Sequence, residues 1–218
     1  MKARKRVAIL ISGRGSNMTA LIEAAKAPDF PAEIVGVLSN KVDAKGLETA
    51  AASGIATAVR SHRDYASREA FDAELDAVLR GWDADIVALA GFMRLLTPEF
   101  TEKWLGRMIN IHPALLPSFK GLHTHEQALA AGVPLHGCTV HFVTPGMDEG
   151  PAIAQAAVPV LPGDTPDDLA ARVLVAEHAI YPRALAALAE GRIALEGGKV
   201  VDKGAAGTPP APFAWPLY

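Results

Sequence analysis

Between Arg6 and Ala90 the chain repeats one kind of unit, and that repetition restricts the fold more than any other feature. Arg6-Val-Ala-Ile-Leu-Ile-Ser12 is a short apolar run with no polar alternation, the pattern of a parallel strand buried on both faces. A tight turn, Gly13-Arg14-Gly15-Ser16-Asn17, follows it and leads into residues of helical composition from Met18 to Ala27. The same order recurs: a strand over Glu33–Ser39, a helix over Ala44–Ser53, a short strand near Ala56–Arg60, a helix over Ser67–Leu79 and a buried strand over Ala84–Ala90. The helix over Ser67–Leu79 places Ala70, Phe71, Leu75, Val78 and Leu79 at helical spacing with charges between them. Parallel strands need helical crossovers. The fold class is therefore α/β, a Rossmann-like, doubly wound, mostly parallel sheet with helices on both faces. Ligands of such sheets bind beyond the carboxyl ends of the strands, where Gly13, Gly91 and Asn110 are expected to fall.

The second half reads differently. Strands are predicted over Arg107–Ile111, Gly137–Val143 and Ala152–Val160, with long loops between them. Thr165-Pro166-Asp167-Asp168 resembles a capping box with proline in the first turn, opening a helix that runs to about Ala189 with a bend at Pro182. Ile193–Asp202 reads as a hairpin around Gly197-Gly198, and the tail from Gly204 is rich in alanine and proline. Neither an internal repeat nor a linker divides the 218 residues. The expectation is one domain over residues 1–203 and an irregular tail over 204–218.

Composition narrows the function. Half of the residues are hydrophobic, which permits a large core, and a net charge of −3 gives no field that would draw nucleic acid broadly. Lys2, Arg4, Lys5 and Arg6 form a short basic cluster, expected to do no more than solubilise the start of the first strand. No apolar run approaches the roughly 20 residues needed to span a bilayer, and no charged-then-apolar leader is visible. A cytoplasmic protein, bound to neither membrane nor nucleic acid, is expected. Cys138 is the only cysteine and lies in an apolar strand, so it reads as an inert core residue.

Several motifs carry chemistry. The turn Gly13–Asn17 can converge backbone N–H groups on an anion, with a helix dipole behind them. Met18 stands where a dinucleotide fingerprint needs its third glycine, and no Walker lysine follows, so a phosphate monoester fits better than a dinucleotide or nucleoside triphosphate. An ordinary turn with Ser16 or Asn17 as helix cap remains the alternative. Asn110 and His112 alternate onto one face of a strand that Pro113 ends at once, and Asp148 sits in a glycine-flanked loop able to reach the same rim. Amide, imidazole and carboxylate together can stabilise an oxyanion and move a proton near neutral pH, the carboxylate favouring the imidazolium. Neither serine nor cysteine is placed as a covalent nucleophile, which points to direct attack by a substrate amine. His123, His125 and His141 lack a convincing further ligand for a metal and read as structural. Glu177 and His178 interrupt the apolar face of the last helix, by default as a solvated turn. Gly91-Phe-Met-Arg-Leu-Leu96 is either a core-covering turn or the wall of a slot for a flat ring. Arg68 is by default exposed.

Taken in order, Leu10-Ile-Ser-Gly-Arg-Gly-Ser-Asn17, Leu38-Ser-Asn-Lys41, Ala88-Leu-Ala-Gly-Phe-Met-Arg94, Asn110-Ile-His-Pro-Ala-Leu-Leu-Pro117, Gly121-Leu-His-Thr-His125, His136-Gly-Cys-Thr-Val-His-Phe-Val143 and Glu177-His-Ala-Ile-Tyr-Pro182 make a run of linked motifs. By these the chain resembles the phosphoribosylglycinamide formyltransferases, folate-dependent enzymes of purine biosynthesis, from about Val7 to Pro182. It departs from them at Arg14, where asparagine is common, and at Ala114, where serine is common in the wider superfamily. The resemblance implies that Gly15, Ser16 and Asn17 hold the phosphate of glycinamide ribonucleotide and that Glu177 contacts its glycinamide or ribose part. It implies that Met93, Arg94, Leu95 and Leu96 frame the pterin of the co-substrate 10-formyltetrahydrofolate, together with Asn110 and Thr144, Pro145, Gly146, Met147 and Asp148. Arg68 would lie near the benzoyl-glutamate end. Asn110, His112 and Asp148 would be catalytic, no metal would be needed, and the enzyme would act as a monomer or homodimer. Methionyl-tRNA formyltransferases and formyltetrahydrofolate deformylases share the core. The short tail after the last helix and the first strand at about residue 6 favour the small-substrate enzyme over both. A catalytically idle nucleotide- or folate-binding module is the alternative from another class.

Overall fold

The computed structural model describes residues 3–204. The tail expected over 204–218 lies outside the described residues but for Gly204. Strand β1 (Lys5–Ile11) is an interior strand of a seven-stranded sheet ordered β3-β2-β1-β4-β5-β6-β7. Its neighbours are β2 (Ala32–Ser39) and β4 (Ile86–Leu89), both parallel to it. β3 (Thr57–Val59) and β5 (Met108–His112) extend the parallel set outward, while β6 (Leu135–Phe142) and β7 (Ala152–Pro159) complete the sheet antiparallel.

β1 lacks polar alternation because both of its faces are covered. Val7, Ile9 and Ile11 join one apolar cluster with Met18, Leu21 and Ile22 of α1 (Ser16–Ala25) and Leu169, Val173 and Leu185 of α6 (Pro166–Ala189). Ala8 and Leu10 point the other way, into Phe71, Leu75 and Leu79 of α3 (Arg68–Gly81) and Phe100 of α4 (Pro98–Lys103). The period-two geometry of a strand sends alternate side chains to opposite layers, so a continuous apolar run feeds both. α2 (Gly46–Ala52) adds Ala50 to the α1 side.

Caps fix the helix starts. Ser67 accepts the Ala70 N–H before α3, and the Thr165–Asp168 capping box closes in both directions before α6. α6 continues through Pro182. The hairpin around Gly197-Gly198 forms, as β8 (Ile193–Glu196) and β9 (Lys199–Asp202).

Three sequence expectations change. The loops after β4 and β5 each contain a helix, α4 and α5 (Thr124–Ala131). α4 carries a readable start, with Thr97 capping Phe100 N–H and Pro98 in the first turn, but is six residues long. α5 opens from His123 in a left-handed conformation with no side-chain cap, so its start has no sequence signature. Finally, the basic cluster does more than solubilise. Arg6 pairs with Glu33 at 3.1 Å and donates to the Trp82 carbonyl at 2.9 Å, while Arg4 donates to the Ala32 carbonyl, tying the start of the sheet to its neighbours.

Tyr181 anchors α6 to the sheet centre: its buried hydroxyl donates to the Leu89 carbonyl at 2.9 Å, with the Ile109 carbonyl at 3.3 Å. Tyr181→Phe is expected to lower unfolding free energy by about 1 kcal/mol with little change in m-value, measured by urea denaturation.

Candidate active site

Beyond the carboxyl ends of β4 and β5 opens a cavity of about 730 Å³. Its walls include Met93, Leu95, Leu122 and Met147, apolar side chains that are all more than half exposed. Asn110 and His112 reach it from the end of β5, which stops at His112 as Pro113 dictates. Every residue expected to frame a flat ring lines it: Met93, Arg94, Leu95, Leu96, Thr144, Pro145, Gly146, Met147 and Asp148.

His112 is buried, and both of its ring nitrogens face acceptors. Nε2 lies 2.9 Å from the Phe119 carbonyl and Nδ1 lies 3.4 Å from Asp148 Oδ2. Asp148 Oδ2 also accepts the Gly121 N–H at 2.9 Å, and Lys120 pairs with Glu149 at 3.0 Å, so the loops after β5 and β6 are joined across the cavity mouth. Asp148 sits at φ +52°, a left-handed conformation that aspartate tolerates better than most residues. Gly150 sets the return of this loop, since a Cβ there would lie 1.7 Å from the Phe142 carbonyl oxygen. The cis peptide bond recorded near the site is Leu116–Pro117, not the bond before Pro113.

His141, expected to be structural, also lines the cavity. It lies opposite Asn110 in the β5–β6 register. Its Nδ1 donates to the Phe142 carbonyl at 2.9 Å, which leaves Nε2 as acceptor for Asn110 Nδ2 at 3.2 Å. Burial lowers its pKa, against the backbone bond and Asp148, so the neutral ring that accepts from Asn110 is favoured. Its place across from Asn110 depends on a pairing register that no local pattern reveals.

The turn Gly13–Asn17 stands apart, at the end of β1, and its residues do not line the cavity. Gly15 adopts φ +72° as the residue before α1, and neither Ser16 nor Asn17 caps the helix, so its first N–H groups stay available. Asn17 Nδ2 instead donates to Glu177 Oε2 at 2.7 Å, and its buried Oδ1 has no partner. Glu177 is 6 % exposed, so the expected solvated turn is a buried one, and burial raises its pKa despite the Asn17 bond. Arg68 is exposed at the first position of α3 and does not line the cavity. Arg14 is exposed on the turn. His123 and His125 fall at the start of α5 rather than on an extended segment, and Cys138 is buried with its thiol pushed up to about 12, chiefly by burial.

A mostly parallel sheet with an amide, a histidine–carboxylate pair and an apolar cavity at its carboxyl edge is the architecture of a group-transfer enzyme, and the chain belongs to the formyl transferase family. The profile of that family, described as "Formyl transferase", matches residues 5–185. Within it, the chain is 50 % identical over 187 residues to phosphoribosylglycinamide formyltransferase of Escherichia coli, an alignment covering 86 % of this chain and 88 % of that protein. It is 52 % identical over 198 residues to the trifunctional purine biosynthetic protein adenosine-3 of Bos taurus, covering 90 % of this chain but only 20 % of that protein, so it spans about a fifth of that relative's length. Among solved structures, glycinamide ribonucleotide transformylase 1 from Symbiobacterium toebii superposes with a TM-score of 0.90 at 46 % identity, over 93 % of this chain and 95 % of that one.

The buried histidines make stability depend on acid. His136 is pushed down to about 4, first by burial and then by His125, against the Pro113 backbone carbonyl, which favours the charged ring. Below about pH 6.5 the unfolded chain takes up a proton there that the folded protein refuses, so stability falls as pH drops toward 4. His136→Phe is expected to make the loss between about pH 7 and pH 5 smaller by up to roughly 2 kcal/mol, read from urea midpoints at each pH.

Proposed function

We infer that this chain transfers the formyl group of 10-formyltetrahydrofolate to the primary amine of glycinamide ribonucleotide, a step of purine biosynthesis. One observation carries the mechanism: His112 has an acceptor at each ring nitrogen and stands beside Asn110 at the rim of the apolar cavity. The cavity, about 730 Å³ and lined by Met93–Leu96 and Thr144–Asp148, supports this reading, since a folate-sized ring system fits that volume. Gly15, Ser16 and Asn17 would take the ribonucleotide phosphate at the open end of α1, and Glu177 beside Asn17 its polar remainder. Arg68 would meet the anionic far end of the folate from outside the cavity.

In the reaction the neutral substrate amine attacks the formyl carbon, forming a new C–N bond and an oxyanion. The Asn110 amide N–H, held in orientation by His141, and the His112 imidazolium would stabilise that charge. Collapse breaks the bond to the folate nitrogen, and the proton shed by the attacking amine passes by way of Asp148 to that leaving nitrogen. Direct attack suits the lining. No serine or cysteine belongs to it, and of its three threonines Thr101 and Thr124 have hydroxyls engaged with backbone carbonyls. The partners are the two small substrates, and the protein acts as a cytoplasmic monomer or homodimer.

Losing one oxyanion donor typically costs about 2.7–4 kcal/mol in the transition state. Asn110→Ala and His112→Ala should therefore each reduce kcat by roughly a hundredfold or more while thermal midpoints change little. Purified protein with both substrates, monitored for tetrahydrofolate release, provides the measurement. Near-normal turnover in either variant would remove that residue from the mechanism. Equal folate release without the ribonucleotide would indicate deformylase chemistry, and binding without turnover an idle module.

A further inference from the structure

The motifs Leu38-Ser-Asn-Lys41 and Leu10-Ile-Ser12 have no part in the chemistry above, yet their polar residues are buried. Ser12 is 5 % exposed and Asn40 2 %. Both stand at the carboxyl edge of the sheet, Ser12 one residue past β1 and Asn40 one past β2.

The slot segment Gly91–Leu96 lies in no helix or strand, and two buried side chains hold its ends. Ser12 Oγ accepts the Met93 N–H at 2.8 Å, and Asp72 Oδ2 accepts the Thr97 N–H at 2.6 Å. The Ser12 hydroxyl proton goes to Asn40 Oδ1 at 2.5 Å, which fixes the rotor so that its lone pairs meet Met93. Asn40 Nδ2 in turn reaches His62 Nδ1 at 3.4 Å. The His62 ring meets Phe71 edge-on at 6.3 Å, on the same helix that carries Asp72. The hydrogen-bonded chain thus crosses the ends of β4, β1 and β2 to His62, and the ring contact with Phe71 sets it beside α3, which carries Asp72.

Ser12 is also the hinge point of the anion turn. Its backbone N–H donates to the Gly91 carbonyl at 3.1 Å, and the next residue, Gly13, accepts the Gly46 N–H at 3.1 Å. The Ser12 side chain therefore fixes the slot at Met93, while backbone bonds of Ser12 and Gly13, which any substitution keeps, tie the slot to the root of the turn assigned to the ribonucleotide. We propose that Ser12 and Asn40 are positioning residues whose side chains hold the slot Gly91–Leu96 preorganised for the formyl folate. The proposal rests on the functional reading above. Its physical content is that the hydrogen bonds order the slot before binding, so that the folate need not supply the ordering free energy.

The test compares Ser12→Ala with Ser12→Thr, and Asn40→Ala with Asn40→Asp, in the full chain. Threonine keeps the hydroxyl, and aspartate keeps the acceptor for it. The alanine variants should raise KM for the formyl folate about three- to tenfold, the range of one lost hydrogen bond, and leave that for the ribonucleotide nearly unchanged. Their kcat should stay within a few-fold of wild type. Amide exchange at Met93 should accelerate in both alanine variants and return toward the wild-type rate in Ser12→Thr and Asn40→Asp. The double alanine variant should be no worse than the more affected single one, because the two residues act in series. Unchanged KM values and unchanged Met93 exchange in Ser12→Ala would overturn the proposal. So would a lowered thermal midpoint with KM intact, which is what a merely structural pair would give. Should Ser12→Ala fail to fold, the Asn40 pair decides by the same readouts. A wild-type protein without turnover would defeat the functional reading by itself, and the Met93 exchange rates would still decide the positioning claim.

Discussion

Burial of β1 on both faces, between two parallel neighbours, is the constraint on which the rest depends. A strand with parallel partners on each side must receive its connections from helices, and those helices must cover both layers. Val7, Ile9 and Ile11 on one face and Ala8 and Leu10 on the other supply the two cores at once. Because β1 through β5 all run the same way, their carboxyl ends meet at one edge. Every functional loop of the amino-terminal half is delivered to that edge by the topology alone. The order reverses at β1, where chain connections depart to β2 on one side and β4 on the other. The crevice that opens there is occupied by the turn after β1 and the slot after β4.

The antiparallel end of the sheet does a different task. β6 brings His141 against Asn110, and the loop that follows it swings Asp148 back over His112. The carboxylate holds two things together, the His112 ring and the Gly121 N–H of the opposite loop. Contact with the buried ring and joining of the two loops therefore share one side chain. Neutral, buried His141 acts on the other member of the pair by fixing the amide of Asn110. The two histidines are close in space yet differ in role: one faces two acceptors, while the other gives its single proton to a backbone carbonyl.

Much of this was legible in the sequence because it rests on local rules. Apolar runs without alternation gave the parallel strands, the Thr165–Asp168 box gave the start of α6, and Gly197-Gly198 gave the hairpin. Asn110 and His112 were readable as a pair because two residues apart on a strand means the same face, and Pro113 places them at its end. What was missed follows equally local reasons. α4 is too short to show a helical period, and α5 starts from a left-handed histidine without a capping side chain. Glu177 looked solvated because a carboxylate on a helix usually is, and its burial depends on Asn17, 160 residues away.

The sequence by itself determined the fold class, the edge at which ligands bind and the chemical kinds of group placed there, since these follow from periodicity, strand ends and residue type. Only the tertiary structure decided which groups touch. The contact of His112 with Asp148, the register that sets His141 against Asn110, the Asn17–Glu177 pair and the Ser12–Asn40–His62 chain all join residues from different strands or loops. Hydrogen bonds of this kind are fixed to fractions of an ångström by packing among distant segments, and no local pattern encodes a distance between them.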